Sequence, residues 1–347
     1  MLIKIDKTNK FVSKFNQKTG LYIRSGVIEG GKDTGVDPFM TEFPELLDIG
    51  IMGHCYNVGI CPIPCYQNAA GKSVPHMGFD DFKKLMGQCK NLVFQVALGG
   101  RGDPNKHPQW GEILKCCRDN NVVPNFTTSG IGLTDDEVAL AKKYCGASAV
   151  SWHNTEYTIS AASRLRGSGI ITNIHFVLSK SSIADAIDML DRELDADAII
   201  FLLHKPVGQG DASGTLSPDD PRLLEFFKAI DKGPRKFKIG FDSCTVPAII
   251  NFSKQIMECT VEPCDAGRFS MYIGPDLIAT PCSLDQKFTW GVNLHQCSIR
   301  EAWVSQKFSS FREIVRGACH SCGKRQLCHG GCHIIPGITL CGGIHEN

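Results

Sequence analysis

The chain has 347 residues, 42% of them hydrophobic and 21% charged, with 37 basic against 36 acidic residues for a net charge of +1. That length allows one large domain and a smaller one, and the balanced charge argues against a polyanionic partner such as nucleic acid. Its apolar runs are strand-sized, so no membrane span is expected, and the opening MLIKIDKTNK lacks a signal-peptide core, which points to the cytoplasm.

Residues 1–47 read as an N-terminal extension. From 48 to 243 the chain repeats a short apolar run, a turn and a helical pattern. LLDIGIM is followed by GFDDFKKLMGQC, in which Phe82, Leu85, Met86 and Cys89 fall at helical spacing. NLVFQVAL precedes HPQWGEILKCCRDN, and NVVPNFTT precedes a helix from about Asp135 to Tyr144. SAVSW leads into a helix near Glu156, ITNIHFVLS into SIADAIDMLDREL, and DAIIFLLH into PDDPRLLEFFKAI. Apolar strands alternating with helices predict a parallel sheet buried on both faces. Right-handed crossovers would wind these six units into a partial (β/α)6 TIM-like barrel. Residues 244–347 change to cysteine, glycine and proline in short pieces, the composition of a small cysteine-rich domain that needs metal to fold.

Seventeen cysteines in a chain of this kind point to metal rather than disulfides. Cys89, Cys116, Cys117 and Cys145 lie in helix-like segments and read as small core residues. Ligands of parallel α/β sheets sit at the carboxyl ends of the strands. Five polar or glycine-rich loops share that address: GHCYNVGICPIPCYQ (53–67), GGRGDP (99–104), TTSG (127–130), WHN (152–154) and HKPVGQG (204–210). The first holds Cys55, Cys61 and Cys65 with no paired C-x2-C knuckle of the kind a structural zinc site uses. Three thiolates on a four-iron cubane would leave one iron open to a further ligand; His54 completing a zinc site is the alternative. His175 and His204 are strand-end residues that could face the strand-end loops or a neighbouring helix. In the tail, CHSCGKRQLCHGGC sets Cys319, Cys322, Cys328 and Cys332 at C-x2-C-x5-C-x3-C, with Cys341 beyond. Two zinc-ribbon sites could be built from such a set as well.

The three-cysteine loop after the first strand resembles that of radical S-adenosylmethionine enzymes, although the family spacing is C-x3-C-x2-C and this one is C-x5-C-x3-C. The resemblance implies a 4Fe–4S cluster on Cys55, Cys61 and Cys65 whose open iron is chelated by S-adenosylmethionine, with Tyr66 a familiar neighbour. It implies that Gly100, Gly102, Asp103 and Pro104 form the turn that holds the methionine amino group. Thr128 and Ser129 would serve the ribose, Ser151 the methionine carboxylate, and Arg164 or Arg166 would assist. The tail resembles the SPASM extension with two auxiliary 4Fe–4S clusters. Its first cluster would take Cys264, Cys282 and Cys332 with an upstream cysteine, Cys259 being nearer and Cys244 the alternative. The second would take Cys319, Cys322, Cys328 and Cys341. Leu277 stands where that extension usually has glycine, and Cys297 is left as structural. The implied activity is reductive cleavage of S-adenosylmethionine to a 5′-deoxyadenosyl radical, which modifies a peptide or protein side chain by crosslinking or oxidation. A formylglycine-forming role is disfavoured, because Ser283 rather than aspartate follows Cys282 and the nearest carboxylate is Asp285. Implied partners are a peptide or protein substrate and a one-electron donor such as flavodoxin or ferredoxin. A separate leader-peptide recognition protein is a further possibility, since 47 residues are too few for the leader-binding domain of crosslinking relatives. Two readings from other classes remain: an iron–sulfur electron-transfer or scaffold protein, and a zinc-binding module.

Overall fold

The computed structural model describes residues 1–233, 235–257 and 260–342. The chain opens with an antiparallel sheet of β1 (Leu2–Asp6), β2 (Phe11–Phe15) and β3 (Tyr22–Arg24), followed by a hairpin of β4 (Ile28–Glu29) and β5 (Lys32–Asp33). The inward face of β1 is polar: Lys4 and Asp6 are buried while Ile3 and Ile5 are exposed. Partners explain the inversion. The Lys4 ammonium donates to Thr41 Oγ1 at 3.0 Å and to the Phe43 carbonyl at 2.7 Å, and lies 3.9 Å from Glu45. Asp6 accepts from the amides of Asn9 and Glu42. Glu45 also receives the hydroxyls of Ser13 and Tyr22. Phe15 stacks on Phe94 and packs with Val123, so this small sheet covers the segments that enter the main strands from their amino ends.

The main sheet runs β12 (Lys238–Phe241), β11 (Ala198–Leu203), β10 (Ile171–Leu178), β9 (Ala147–Ser151), β8 (Val123–Thr128), β7 (Gln95–Gly100), β6 (Leu46–Met52), all parallel. Connecting them are α1 (Phe79–Cys89), α2 (Trp110–Asp119), α3 (Asp135–Tyr144), α4 (Glu156–Gly167), α5 (Ile183–Met189) and α6 (Pro221–Ile230). Every second strand residue enters one core with the helices, as in Ile174, Phe176 and Leu178 of β10 or Ile199, Phe201 and Leu203 of β11. Cys89, Cys116 and Cys117 are buried in that core, with Cys145 packed against it. The fold is thus mixed α/β around a large parallel sheet, and among the described residues nothing pairs its two edges.

Three features differ from the pattern expected above. A seventh parallel strand, β12, is present; four residues carry too little periodicity to announce it. Helix α5 ends at Met189 rather than continuing through the DREL segment. Most consequentially, the cysteine-rich region does not stand apart. After α7 (Val246–Phe252), β13 (Ser270–Ile273) pairs parallel to β6, and β14 (Ile278–Thr280) and β15 (Val292–Asn293) extend the same sheet antiparallel. Met271, Ile273 and Ala279, with Ile299 and Trp303 of α8 (Ile299–Trp303) and Phe308 of α9 (Gln306–Gly317), belong to the main core. A short helix α10 (Arg325–Cys328) completes the tail.

The Glu45 knot is the seal of the amino end. Glu45→Ala removes the counter-charge of the buried Lys4 ammonium and the acceptor of the Ser13 and Tyr22 hydroxyls. The expected cost is about 3 kcal/mol, measurable as a lowered urea midpoint with an unchanged dependence on denaturant concentration.

Candidate metal centre

The Cys55–Cys65 loop has no regular structure of its own and is held by what packs on it. The Asn57 amide donates to Cys55 Sγ at 3.3 Å, and the Cys61 thiol lies 3.7 Å from the Ile63 carbonyl. Burial raises the thiols of Cys55 and Cys61; the neighbouring Cys65 and Asp103 raise both further. The three sulfurs and Asp103 therefore share one environment. Gly102 adopts φ +136°, and a Cβ there would lie 2.8 Å from the His54 carbonyl and 3.1 Å from Cys55 Cα. Gly208, at φ +66°, presses as closely on the carbonyls of Cys65 and Tyr66, and the Gln209 amide donates to the Cys65 carbonyl at 2.9 Å. Gln286 of the tail donates to the Tyr66 carbonyl. The loops after β7 and β11 and the tail thus close on the same stretch, residues 54–66. On the outer side, His76 stacks on His54 with ring centroids 4.0 Å apart and accepts from the Gly53 amide at 3.0 Å.

Asp103 is buried, and both its oxygens are occupied. Oδ1 accepts from the Ser129 amide at 2.7 Å; Oδ2 accepts from Ser129 Oγ at 2.5 Å and from Asn57 Nδ2 at 3.0 Å. Burial raises its pKa, against the opposing pull of the Ser129 bonds. Pro104 starts the short helical turn that follows. Gly100 sits at φ +118° against the backbone of Met52, locking the GGRGDP turn to the end of β6. Thr128 is buried, with its hydroxyl accepting from the Gly130 amide at 3.1 Å. Ser151 ends β9 beside His175 of β10, whose pKa burial lowers to about 4. Arg164 donates to the Leu133 carbonyl and the Asp135 carboxylate, and Arg166 to Asp195 and Asp197. Neither arginine has a partner in the cysteine loop. His204 turns back to the Asp211 carbonyl at 2.9 Å. Asp285 caps the amides of Thr289 and Trp290, and Cys297 leans on the Asn293 carbonyl at 3.5 Å.

The tail gathers two further sets. Cys244 and Cys282 pack against the buried cluster that holds Cys332, and Cys264 and Cys282 lie within electrostatic reach of Cys244 and of each other. Cys319, Cys322, Cys328 and Cys341 form the second set. His329, Gly330 and Gly331 all take positive φ, at 49°, 85° and 77°. That left-handed run separates Cys328 from Cys332 and sends one to each set. Leu277 also takes a positive φ, 58°, the conformation that glycine adopts most easily. Lys205 joins β11 to the first set: its ammonium pairs with Asp242 at 2.7 Å and reaches Cys244. Cys259 lies outside the described residues. Among the described residues no three such donors meet at single-ion distance, so these are convergent sets that a larger group would draw together. Sequence reasoning did not single out Asn57, His153 or Lys205; His153 and Lys205 reach sulfurs, and the Asn57 side chain reaches Asp103, across long stretches of chain that no local pattern signals.

No family model matches the sequence. The chain is 24% identical over 304 residues to mycofactocin maturase MftC of Mycobacterium tuberculosis, spanning 80% of this chain and 76% of that protein. It is 25% identical over 275 residues to the PqqA peptide cyclase of Gluconobacter oxydans, spanning 69% and 72%. Its fold superposes on Streptococcus suis SuiB bound to S-adenosylmethionine with a TM-score of 0.69 at 18% identity, covering 88% of this chain and 78% of SuiB. SuiB bound to the precursor peptide SuiA matches with a TM-score of 0.68 at 18% identity, covering 85% and 73%. These similarities agree with the resemblance to radical S-adenosylmethionine enzymes of the SPASM type drawn from the cysteine motifs. The residues fit the cofactors of that group: three thiols converge under a glycine-lined cradle with a neighbouring carboxylate, and eight more stand in two sets of four.

The cradle supplies a direct check. Gly102→Ala forces a side chain into the His54 and Cys55 backbone from a disallowed φ. Reconstituted protein should then lose about four of about twelve iron per chain, the share of one of three cubanes, as counted by ferrozine assay against protein.

Proposed function

We propose that the chain is a peptide- or protein-modifying radical S-adenosylmethionine enzyme whose strands β6–β11 and helices form a partial (β/α)6 barrel. In this reading residues 1–47 are an extension, 48–243 the barrel and 244–347 the auxiliary-cluster region. The observation that carries it is the meeting of four other strand-end loops and the tail on the loop that holds Cys55, Cys61 and Cys65. When bound, a 4Fe–4S cluster with S-adenosylmethionine on its open iron supplies a 5′-deoxyadenosyl radical that abstracts hydrogen from an unactivated carbon.

The chain's own residues bind and orient. Cys55, Cys61 and Cys65 supply the thiolates, and Gly102 lets the next loop approach them. Asp103 presents its carboxylate beside the sulfurs, held still by Ser129 and Asn57, where an ammonium group of the cofactor can share it. Gly100 and Pro104 fix that turn, the Ser129 hydroxyl is committed to Asp103, and Ser151 stands at a strand end available to the remaining polar groups. Thr128 is better read as a turn-former, since its hydroxyl is used by Gly130. Arg164, tied to Leu133 and Asp135, is a weaker candidate than its position in sequence suggested.

For the auxiliary sets we take Cys319, Cys322, Cys328 and Cys341 together, and Cys264, Cys282 and Cys332 with Cys244 in place of the sequence-nearer Cys259. The packing of Cys244 against the buried cluster that holds Cys332 supports that choice. A peptide substrate is supported by the maturase and cyclase names of the curated relatives and by the SuiB–SuiA complex. A one-electron donor such as flavodoxin or ferredoxin is required by the reaction class, and the cytoplasm is its expected setting; among the described residues no helix is long and apolar enough to cross a membrane.

Two experiments test this. With dithionite and S-adenosylmethionine, wild-type protein should release 5′-deoxyadenosine, and the Cys322→Ala/Cys328→Ala variant should still release it while failing to modify a peptide substrate. Absence of deoxyadenosine from iron-replete wild type would refute the reading. Separately, Cys244→Ala should lose about a third of the bound iron and Cys259→Ala essentially none; the reverse order would return the fourth place to Cys259.

A further inference from the structure

We propose that His153 is a positioning residue for the three-cysteine site: its Nε2–H donates to the Cys61 sulfur, and Tyr157 fixes the ring so that it does. The inference rests on the reading that Cys61 ligates the cluster. His153 follows β9, where the Trp152 amide still donates to the His175 carbonyl at 2.8 Å. At Asn154 the chain takes φ +53°, a left-handed turn that asparagine tolerates, and α4 begins at Glu156. That turn brings the His153 ring back over the first turn of the helix. Nδ1 lies 3.0 Å from Tyr157 Oη, the rings meet edge to face at 77°, and Nε2 lies 3.3 Å from Cys61 Sγ.

The tautomer follows from the partner's chemistry. A free thiol could donate to the ring, but a thiolate bound to iron has no proton and can only accept. With Cys61 as a ligand, Nε2 must therefore carry the hydrogen of the neutral ring. Nδ1 then presents its lone pair and takes the hydrogen of the Tyr157 hydroxyl. The relay Tyr157 O–H to His153 to Cys61 sulfur is complete with every group satisfied. Cys55 receives only the backbone amide of Asn57, so among the described residues Cys61 is the sulfur of this loop with a side-chain donor. A donor to a ligating sulfur withdraws charge from iron and favours the reduced state. His153 thereby makes the cluster easier to reduce.

The test is a redox titration of reconstituted full-length protein followed by electron paramagnetic resonance. The relevant signal is the one that changes when S-adenosylmethionine is added. At a fixed solution potential His153→Ala should hold at least threefold less of that signal reduced relative to oxidised, which is about 28 mV at 59 mV per decade for one electron. His153→Gln, whose amide N–H can still donate, should recover part of the loss, and Tyr157→Phe should lie between wild type and His153→Ala. Tail signals should not move. An unchanged ratio in iron-replete His153→Ala overturns the proposal. If that variant loses iron from the loop, an unchanged ratio in both His153→Gln and Tyr157→Phe overturns it instead. Wild type without any cofactor-responsive signal would refute the underlying reading of Cys61, a distinct outcome.

Discussion

Close backbone approach at two glycines holds the site together. The Cys55–Cys65 loop has no ladder or helix to define it, so its shape depends on neighbours touching its main chain. Gly102 and Gly208 allow this at the two ends of the loop, each at a positive φ and each at a distance a Cβ would occupy. An irregular, glycine- and proline-rich loop pays backbone entropy to be ordered, and contacts from three other segments are what offset it. The rest of the site is then placed by inheritance: Asp103 follows Gly102 by one residue, Ser129 is fixed by Asp103, and His153 reaches Cys61 from the next strand.

The tail extends this logic. By adding β13 beside β6, the chain continues its main sheet past the first strand of the parallel series, so Cys264 and Cys282 flank elements anchored in the common core. Buried Arg268 and Arg312 tie the surrounding loops by donating to the carbonyls of Phe39, Cys264, Gly267 and Trp303. Metal would then refine a scaffold whose hydrophobic part is already formed. The Lys205–Asp242 pair carries the connection further, placing a cation from the loop after β11 beside Cys244.

The parallel strands were legible because strands covered on both faces are nearly continuous runs of Val, Ile, Leu and Phe, and their polar loops stand out against that background. The small N-terminal sheet was not, since β1 buries Lys4 and Asp6 and exposes Ile3 and Ile5, the reverse of what alternation predicts; the reason is Glu45 and Glu42, distant in sequence. The tail's shared core was missed because α9 supplies Phe308, Phe311 and Val315 to a surface made by other elements. Cys244 was ranked below Cys259 by nearness along the chain; its packing against the cluster that holds Cys332 is a relation that only the fold creates. Arg164 looked available because an ion pair with Asp135 leaves no trace in spacing.

The central claim is that three thiolates leave one iron of a cluster open to S-adenosylmethionine. Its most direct measurement is the spectrum of a variant in which both tail sets are removed, reduced and examined by electron paramagnetic resonance with and without S-adenosylmethionine carrying a nitrogen-15 amino group. A signal that shifts on addition, with resolved hyperfine coupling to that nitrogen, is the predicted result. A cluster on Cys55, Cys61 and Cys65 whose spectrum ignores the cofactor would contradict it.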